Sequence, residues 1–389
     1  MRIGYDAKRL FNNQTGLGNY SRSLIDTLSK YHPEHEYHLF TPKVDMSIHH
    51  DFVDKTKAEI TATSFKIGAI HTHLPDNFHN KIKPFWRSYF IKKDLQKADI
   101  QLFHGLSGEL PLSIPKGVKT VVTIHDLIHE RYPKFYPFFD RKMYSWKFRR
   151  ACEKADVVVA ISEQTKRDII DFYKIEESKI KVIYQSCHPQ FKMSNTSNLG
   201  ADYFFQKYKL PNNYLLYVGT INERKNLFGI LKAFADGDAF NKTIKLVIVG
   251  TGKGYYFDLA IAFIRRYSLE NRIFMLKNLD FEDFPYIYKN ALALVYPSFF
   301  EGFGLPIIEA MWSGCPVITS KGGCFAEAGG PDSLYVNPKS SMDIGTAICN
   351  VTTDNAMRER MILRGLDYVK KFDEKEIGNQ WIDLYESLL

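Results

Sequence analysis

The sequence predicts an α/β protein built as two doubly wound domains, each a parallel sheet with helices on both faces. Three observations predict this. The chain has 389 residues, more than one ordinary core of roughly 100–200 residues accommodates. Short apolar runs rich in β-branched residues alternate with longer amphipathic stretches, which is the pattern of parallel β-α-β units. The alternation runs twice, once on each side of a polar, turn-rich stretch.

The first series of strand-like runs comprises Arg2–Asp6, Tyr37–Thr41, Ile100–His104, Lys119–His125, Asp156–Ile161 and Ile180–Tyr184, and residues 42–97 carry no motif. Between Cys187 and Asn213 the chain is polar and lacks a strand pattern, so the domain junction is placed there. This gives an N-terminal domain of residues 1–190, a linker of 191–212 and a C-terminal domain of 213–373. The second series runs through Tyr214–Gly219, Lys245–Gly250, Arg272–Leu276, Leu292–Tyr296, Pro316–Ser320 and Leu334–Val336. The last segment, 374–389, reads as an amphipathic helix with Ile377, Trp381, Leu384 and Leu388 on one side, suited to packing back on the first domain. Two such domains are expected to face each other across a cleft, with ligands at the carboxyl ends of the strands.

Hydrophobic residues at 45% and charged residues at 25% describe a folded protein, neither disordered nor fibrous. The N-terminal Met1–Asp6 carries charges where a signal peptide has its apolar core, and no run of about 18 apolar residues occurs, so a cytoplasmic location is expected. Five cysteines, none in C-x-x-C spacing, read as reduced and structural. The charge is lopsided. Residues 1–190 hold 30 Lys and Arg against 22 Asp and Glu, whereas 191–389 hold 22 of each. An anionic partner is implied for the first half, either a phosphorylated acceptor or an acidic membrane surface; nucleic acid lacks a supporting motif. Within 131–150 stand seven Lys/Arg, one acid and eight aromatics, a composition suited to peripheral contact with anionic lipid.

The strongest chemical signal is Tyr296-Pro-Ser-Phe-Phe-Glu301-Gly-Phe303-Gly304-Leu305-Pro306-Ile-Ile-Glu309-Ala310. A buried-type strand enters a glycine-rich turn, and Pro306 falls where a helix's first turn favours proline. The backbone N–H groups of Gly304 and Leu305, with the helix dipole, make an anion site suited to a diphosphate. If helical, eight residues would separate Glu301 from Glu309 by roughly 12 Å. Retaining glycosidases need their carboxylates about 5 Å apart, so this pair suits holding hydroxyls along an extended ligand. A second signal, Gly219-Thr-Ile-Asn-Glu-Arg224-Lys225-Asn226, follows the first strand of the second domain, where adjacent cations can neutralise a leaving diphosphate. Two weaker signals lie in the first domain. Gly16-Leu-Gly18 opens a helix after the first strand, and His125-Asp126 ends a strand.

These stretches resemble glycosyltransferase family 4. Glu-x7-Glu in the setting Pro-Ser-x-x-Glu-Gly-Phe-Gly-Leu-Pro-x-x-Glu-Ala is what that family carries here, and Gly-x5-Lys-Asn fits the second signal. The opening Ile-Gly-Tyr-Asp-Ala-Lys-Arg-Leu with Gly-Leu-Gly-Asn-Tyr looks like its mannosyltransferase-type members. The resemblance implies the GT-B fold and a retaining, metal-independent hexosyltransferase. By resemblance, Glu301 contacts donor-sugar hydroxyls, Glu309 the ribose hydroxyls, and Phe303, Gly304 and Leu305 the diphosphate. Arg224 and Lys225 stabilise the leaving group, His125 contacts the sugar, and Gly16, Gly18, Gly219 and Met275 line the donor path. The nucleotide sugar is a substrate and no cofactor or metal is expected. The reaction read is transfer of mannose from GDP-mannose to a glycan or lipid-linked acceptor in cell-surface polysaccharide or glycolipid synthesis.

Uridine-linked glucose, galactose or N-acetylglucosamine fits the same motifs, and a non-catalytic nucleotide-sugar sensor or a pyridoxal-dependent phosphorylase of similar architecture stays open. Asp236-Gly237-Asp238 looks like a metal-binding Asp-x-Asp but falls where Asp and Gly are ordinary turn residues. Ser162-Glu-Gln-Thr165 reads as a helix cap. The stretch from Cys324 to Gly330 resembles the family's Pro-Glu-x-x-Gly turn without its proline.

Overall fold

A computed structural model describes residues 1–13, 15–45, 59–60, 64–67, 69–76, 85–192, 198–236 and 242–389. The chain forms two compact units, Met1–Gln185 joined by Glu374–Leu389, and Ser186–Asp373.

In the first unit the strands are β1 (Arg2–Asp6), β2 (Glu36–Phe40), β3 (Glu59–Ile60), β4 (Ser64–Ile67), β5 (Ile70–His73), β6 (Leu102–Gly105), β7 (Lys119–Ile124), β8 (Val157–Ala160) and β9 (Ile180–Val182). Among the described residues they form one sheet in the order β3-β4-β5-β2-β1-β6-β7-β8-β9. The ladders from β5 to β9 are parallel, and β3 and β4 extend the sheet antiparallel. Central strands such as Val157-Val-Val-Ala are apolar throughout because both faces of the sheet are covered. One core gathers Tyr5, Tyr37, Leu39 and the helix Gly16–Tyr31, the other Phe103, Val122, Val158 and Trp86. Strand β5 escapes the sequence pattern: Ile-His-Thr-His has no apolar run, and its pairing to β2 and β4 makes it a strand.

The closing helix, Glu374–Glu386, belongs to this first unit although it follows the second in sequence. It adds Ile377, Trp381, Ile382 and Tyr385 to the first core. Gly378 lets it approach the Gly16–Tyr31 helix, since a Cβ there would stand 2.9 Å from Thr27.

The second unit holds β10 (Tyr214–Val218), β11 (Lys245–Val249), β12 (Ile273–Leu276), β13 (Ala293–Tyr296), β14 (Val317–Ser320) and β15 (Leu334–Val336). All pair in parallel in the order β12-β11-β10-β13-β14-β15. The strand order reverses between β10 and β13, which is the crevice where such sheets bind ligands. The segment read as a linker, 191–212, is different in the structure. It carries a helix, Asn198–Tyr208, and the unit begins at Ser186. Phe204 is buried against Tyr286, and Lys207 bonds Asp280 at 2.7 Å and Asp283 at 2.6 Å. Those partners are distant in sequence, so local composition could not reveal them. Residues 193–197, and Gly237 and Asp238 of the Asp-Gly-Asp triplet, lie outside the described residues. Among the described residues no helix is long and apolar enough to cross a membrane.

Candidate functional site

At the switch point of the second unit, β10 and β11 both end in glycine. Gly219 has φ of +140° and Gly250 +156°, and a Cβ on Gly250 would stand 2.0 Å from the Gly219 carbonyl oxygen. Only glycine permits backbones this close. Beyond Gly219 the chain makes a tight turn in which the Asn222 side chain accepts the Lys225 N–H at 3.1 Å. Asn226, left-handed at φ +55°, caps the helix Leu227–Ala235 and donates to the carbonyls of Pro297 at 3.0 Å and Pro338 at 2.7 Å. The Phe299 N–H donates to the Arg224 carbonyl and Arg224 Nη1 to the Phe300 carbonyl, both at 2.8 Å. The turns after β10 and β13 are thus clamped to each other by one backbone bond and by the Arg224 and Asn226 side chains on backbone carbonyls.

The clamp brings three charges together. Glu301 forms ion pairs with Arg224 at 2.5 Å and with Lys225 at 2.8 Å. The Lys225 ammonium also donates to the Tyr296 hydroxyl and lies 4.6 Å from the centre of that ring. Burial alone would raise the Glu301 carboxyl, but the two cations outweigh it and hold the group at about 2. Burial draws the Lys225 ammonium below its ordinary value against the attraction of Glu301. Two cations against one carboxylate leave the cluster net positive. In this free chain the Glu301 carboxylate, read as a binder of sugar hydroxyls, is occupied in holding Arg224 and Lys225.

Next to the cluster Gly304 adopts φ +116° and caps the helix Leu305–Trp312, with Pro306 in its first turn. The first N–H groups of a helix have no acceptor inside it, which suits this end to an anion. Phe303 is buried against Phe372, so it anchors the turn with its side chain and offers only backbone to a ligand. The Cys324 sulfur lies 3.2 Å from the Glu301 carbonyl and 3.0 Å from that of Phe303, bracing the turn from beneath. Glu309 is half-buried and accepts from the Tyr288 hydroxyl at 2.8 Å; burial pushes its carboxyl up to about 7.

Other sequence-read residues fall elsewhere. The Met275 side chain is partly buried against the core of the second unit. In the first unit, a Cβ on Gly18 would stand 1.8 Å from the Asn13 carbonyl oxygen, and the Gly18 N–H donates to Thr15 at 2.9 Å and to the Asn13 side chain at 3.2 Å. The glycine is therefore required by packing, and its N–H is already used. Around Gly16 the space is open. His125 stands edge-on to Tyr20 at 4.6 Å, donates through Nε2 to the Leu106 carbonyl at 2.8 Å, and accepts at Nδ1 from Gln185 at 3.1 Å. Burial lowers it to about 4, so the ring is neutral with both nitrogens engaged. No His125–Asp126 dyad forms, because Asp126 caps the next turn through the Ile128 N–H. Ser162 caps its helix through the Thr165 N–H at 3.0 Å.

Asn226, Tyr288, Tyr296 and Cys324 serve the site without having been read as site residues. Asn226, Tyr296 and Cys324 fall within stretches the sequence singled out, at the end of Gly-x5-Lys-Asn, at the start of the Glu301 stretch and at the start of the Cys324–Gly330 turn, whereas Tyr288 left no signal. The first unit also encloses a cavity of about 320 Å³ at the carboxyl edge of β1, β2 and β6, lined by Lys8, Lys43, Arg87, Lys147, Arg150 and Glu109 among others. Arg87 is tied to Asp6 and Glu109, and Lys147 to Glu109. Lys8, Lys43 and Arg150 have no carboxylate partner among the described residues, so the cavity is net positive.

Comparison with known proteins places the chain in a family. The family description "Glycosyltransferase Family 4" matches residues 15–190, and "Glycosyl transferases group 1" matches 202–366. The chain is similar to an O-antigen chain mannosyltransferase B of Escherichia coli, 29% identical over 289 residues, covering 74% of either chain. It is also similar to the O-antigen chain mannosyltransferase RfbU of Salmonella typhimurium, 30% identical over 275 residues, covering 69% of this chain and 71% of the relative. Among solved structures, a sucrose-phosphate synthase from Thermosynechococcus elongatus superposes with a TM-score of 0.76 at 20% identity, covering 100% of this chain and 99% of that one, which shows the GT-B fold. The two matched descriptions, one over each half, and the 30% relative together establish that this chain belongs to glycosyltransferase family 4 and is a glycosyltransferase.

Proposed function

We propose that the protein moves mannose from GDP-mannose to a glycan or lipid-linked acceptor in cell-surface polysaccharide synthesis, with retention of configuration and without a metal. The observation that carries the reading is the Arg224–Glu301–Lys225 cluster at the switch point, beside the helix end at Gly304. It supplies fixed positive charge where the departing diphosphate gathers negative charge. Relatives named O-antigen mannosyltransferases support mannose and a polysaccharide product. In the step, the bond from C1 of the sugar to the diphosphate oxygen breaks and a bond from C1 to the acceptor hydroxyl oxygen forms. The hydroxyl proton passes to the departing diphosphate, and no enzymic nucleophile takes part. The positive cavity of the first unit suits an acceptor that carries a phosphate or diphosphate.

The test is release of nucleotide from a panel of GDP- and UDP-sugars with chelator present. Slow release from GDP-mannose alone is expected. Release from a UDP-sugar instead would move the donor assignment, and nucleotide binding without any turnover would leave a sensor.

Glu309 gives this reading a pH dependence. A ribose hydroxyl donates best to an ionised carboxylate, whereas the free chain keeps Glu309 largely protonated below its pKa of about 7. Nucleotide binding then releases a proton and tightens as pH rises. The dissociation constant at pH 6 should be about tenfold weaker than at its alkaline plateau, and Glu309→Gln should flatten the profile. A flat native profile measured by calorimetry would remove Glu309 from the ribose.

A membrane role for 131–150 is part of the same proposal. The helix Phe138–Lys154 exposes Phe139, Trp146, Phe138 and Met143, with Arg141 and Lys142 set over Phe138. Binding to phosphatidylserine-containing vesicles should exceed binding to neutral ones, fall with salt, and be lost in Phe139→Ser with Trp146→Ser. Equal co-sedimentation of native and doubly substituted chains would exclude this helix as the docking face.

A further inference from the structure

In the first sheet, β2 carries Glu36 and His38, and its neighbour β5 carries His71 and His73. The parallel register sets His38 opposite His71 and Phe40 opposite His73. Alternation sends Tyr37, Leu39 and Ile70 into the core shared with the closing helix, so the histidines and Glu36 share the other face. There the rings stack, His38 on His71 at 4.5 Å with planes 5° apart and His38 on His73 at 5.2 Å with planes 10° apart. Glu36 Oε2 lies 3.4 Å from His38 Nε2 and 4.0 Å from His71 Nε2. One ligand atom from each of these three residues lies within 4.8 Å of the others. The remaining nitrogen of His38, Nδ1, is 3.0 Å from His73 Nε2.

We infer that Glu36, His38 and His71 form a site for a divalent metal of the zinc class, completed by water, in which His73 holds the His38 ring. Two imidazoles and a carboxylate are a zinc donor set, and tetrahedral bonds of 2.0–2.2 Å place ligand atoms about 3.3–3.5 Å apart. The distances around Glu36 Oε2 are close to that, and Glu36 is the exposed, rotatable member that can close the rest. His73 performs the outer role that metal-bound histidines require, accepting the proton of the nitrogen that does not face the metal. Glu36 opens β2 and His71 lies near the start of β5, away from the carboxyl edge where the sheet takes its ligands. The metal therefore ties β2 to β5 and takes no part in sugar transfer.

The full chain, stripped with chelator and dialysed, is titrated with Zn²⁺ by calorimetry and with Co²⁺ by visible absorption. One equivalent should bind, Co²⁺ should give the intense d–d bands of a tetrahedral site, and Zn²⁺ should raise the melting temperature. Glu36→Gln and His71→Ala should each weaken binding by at least about tenfold, and His73→Phe by roughly 10- to 100-fold. Glu36→Gln changes an exposed side chain without changing its size, so it tests the site even if His71→Ala misfolds. Failure to bind one equivalent, or binding unchanged in Glu36→Gln, would overturn the assignment.

Discussion

Lys225→Ala is expected to lower the turnover of nucleotide sugar by about 10²- to 10³-fold, the loss that follows removal of one preorganised charge at a developing anion. The decrease should fall on kcat more than on the donor KM, because full charge on the departing diphosphate exists only in the transition state. Glu301→Gln should produce a comparable loss by another route. The carboxylate fixes both Arg224 and Lys225, and without it two like charges about one contact apart repel and lose their geometry. Because the three side chains act as one unit, the double variant should be little slower than the worse single one. Circular dichroism and melting curves must show both variants folded, since a buried charge left without its partner also costs stability. Turnover within about threefold of native for folded Lys225→Ala would remove the cluster from the chemistry.

Trp381→Ala is expected to destabilise the first unit by about 3–5 kcal/mol, the usual cost of emptying a large aromatic from a core. Trp381 is buried at 1% exposure and packs at a tilt, 4.7 Å between ring centres, on His104, which in turn bonds Tyr385 at 2.7 Å. The indole N–H makes no hydrogen bond among the described residues, so Trp381→Phe should retain most of the stability. Leu388→Ala, at the partly buried end of the same segment, should cost far less. Denaturant unfolding of the three variants checks the order. A loss below 1 kcal/mol for Trp381→Ala would mean that the closing helix does not support the first core.

The strands were the most legible part of the sequence. Runs such as Lys245–Val249 and Ala293–Tyr296 are apolar because a parallel sheet is covered on both faces, and their ends fall within a residue or two of the expected ones. The strand-turn-helix at Tyr296–Trp312 was equally plain, since glycine at φ +116° followed by proline in the first turn writes a backbone conformation into composition. Less legible were β5, whose histidines hide a strand, and the helix Asn198–Tyr208, whose support comes from Tyr286, Asp280 and Asp283.

Within the site the difference is sharper. Sequence alone singled out Arg224, Lys225, Glu301 and Glu309 as candidates for the donor site, because local motifs place charged residues at strand ends and at a helix start. It also determined the number of domains and the excess positive charge of the first half. Only the tertiary structure decided that the Glu301 carboxylate is held by both cations, that Asn226 ties two turns 71 residues apart, and that Gly18 answers to the Asn13 carbonyl. The same holds for the histidines of β2 and β5, which lie some thirty residues apart in the chain and stack only through strand register. The physical reason is range: backbone conformation and amphipathic period are fixed by neighbours within a few residues. Ion pairing, burial and the pKa shifts they cause depend on groups that only the folded chain brings within a few ångströms.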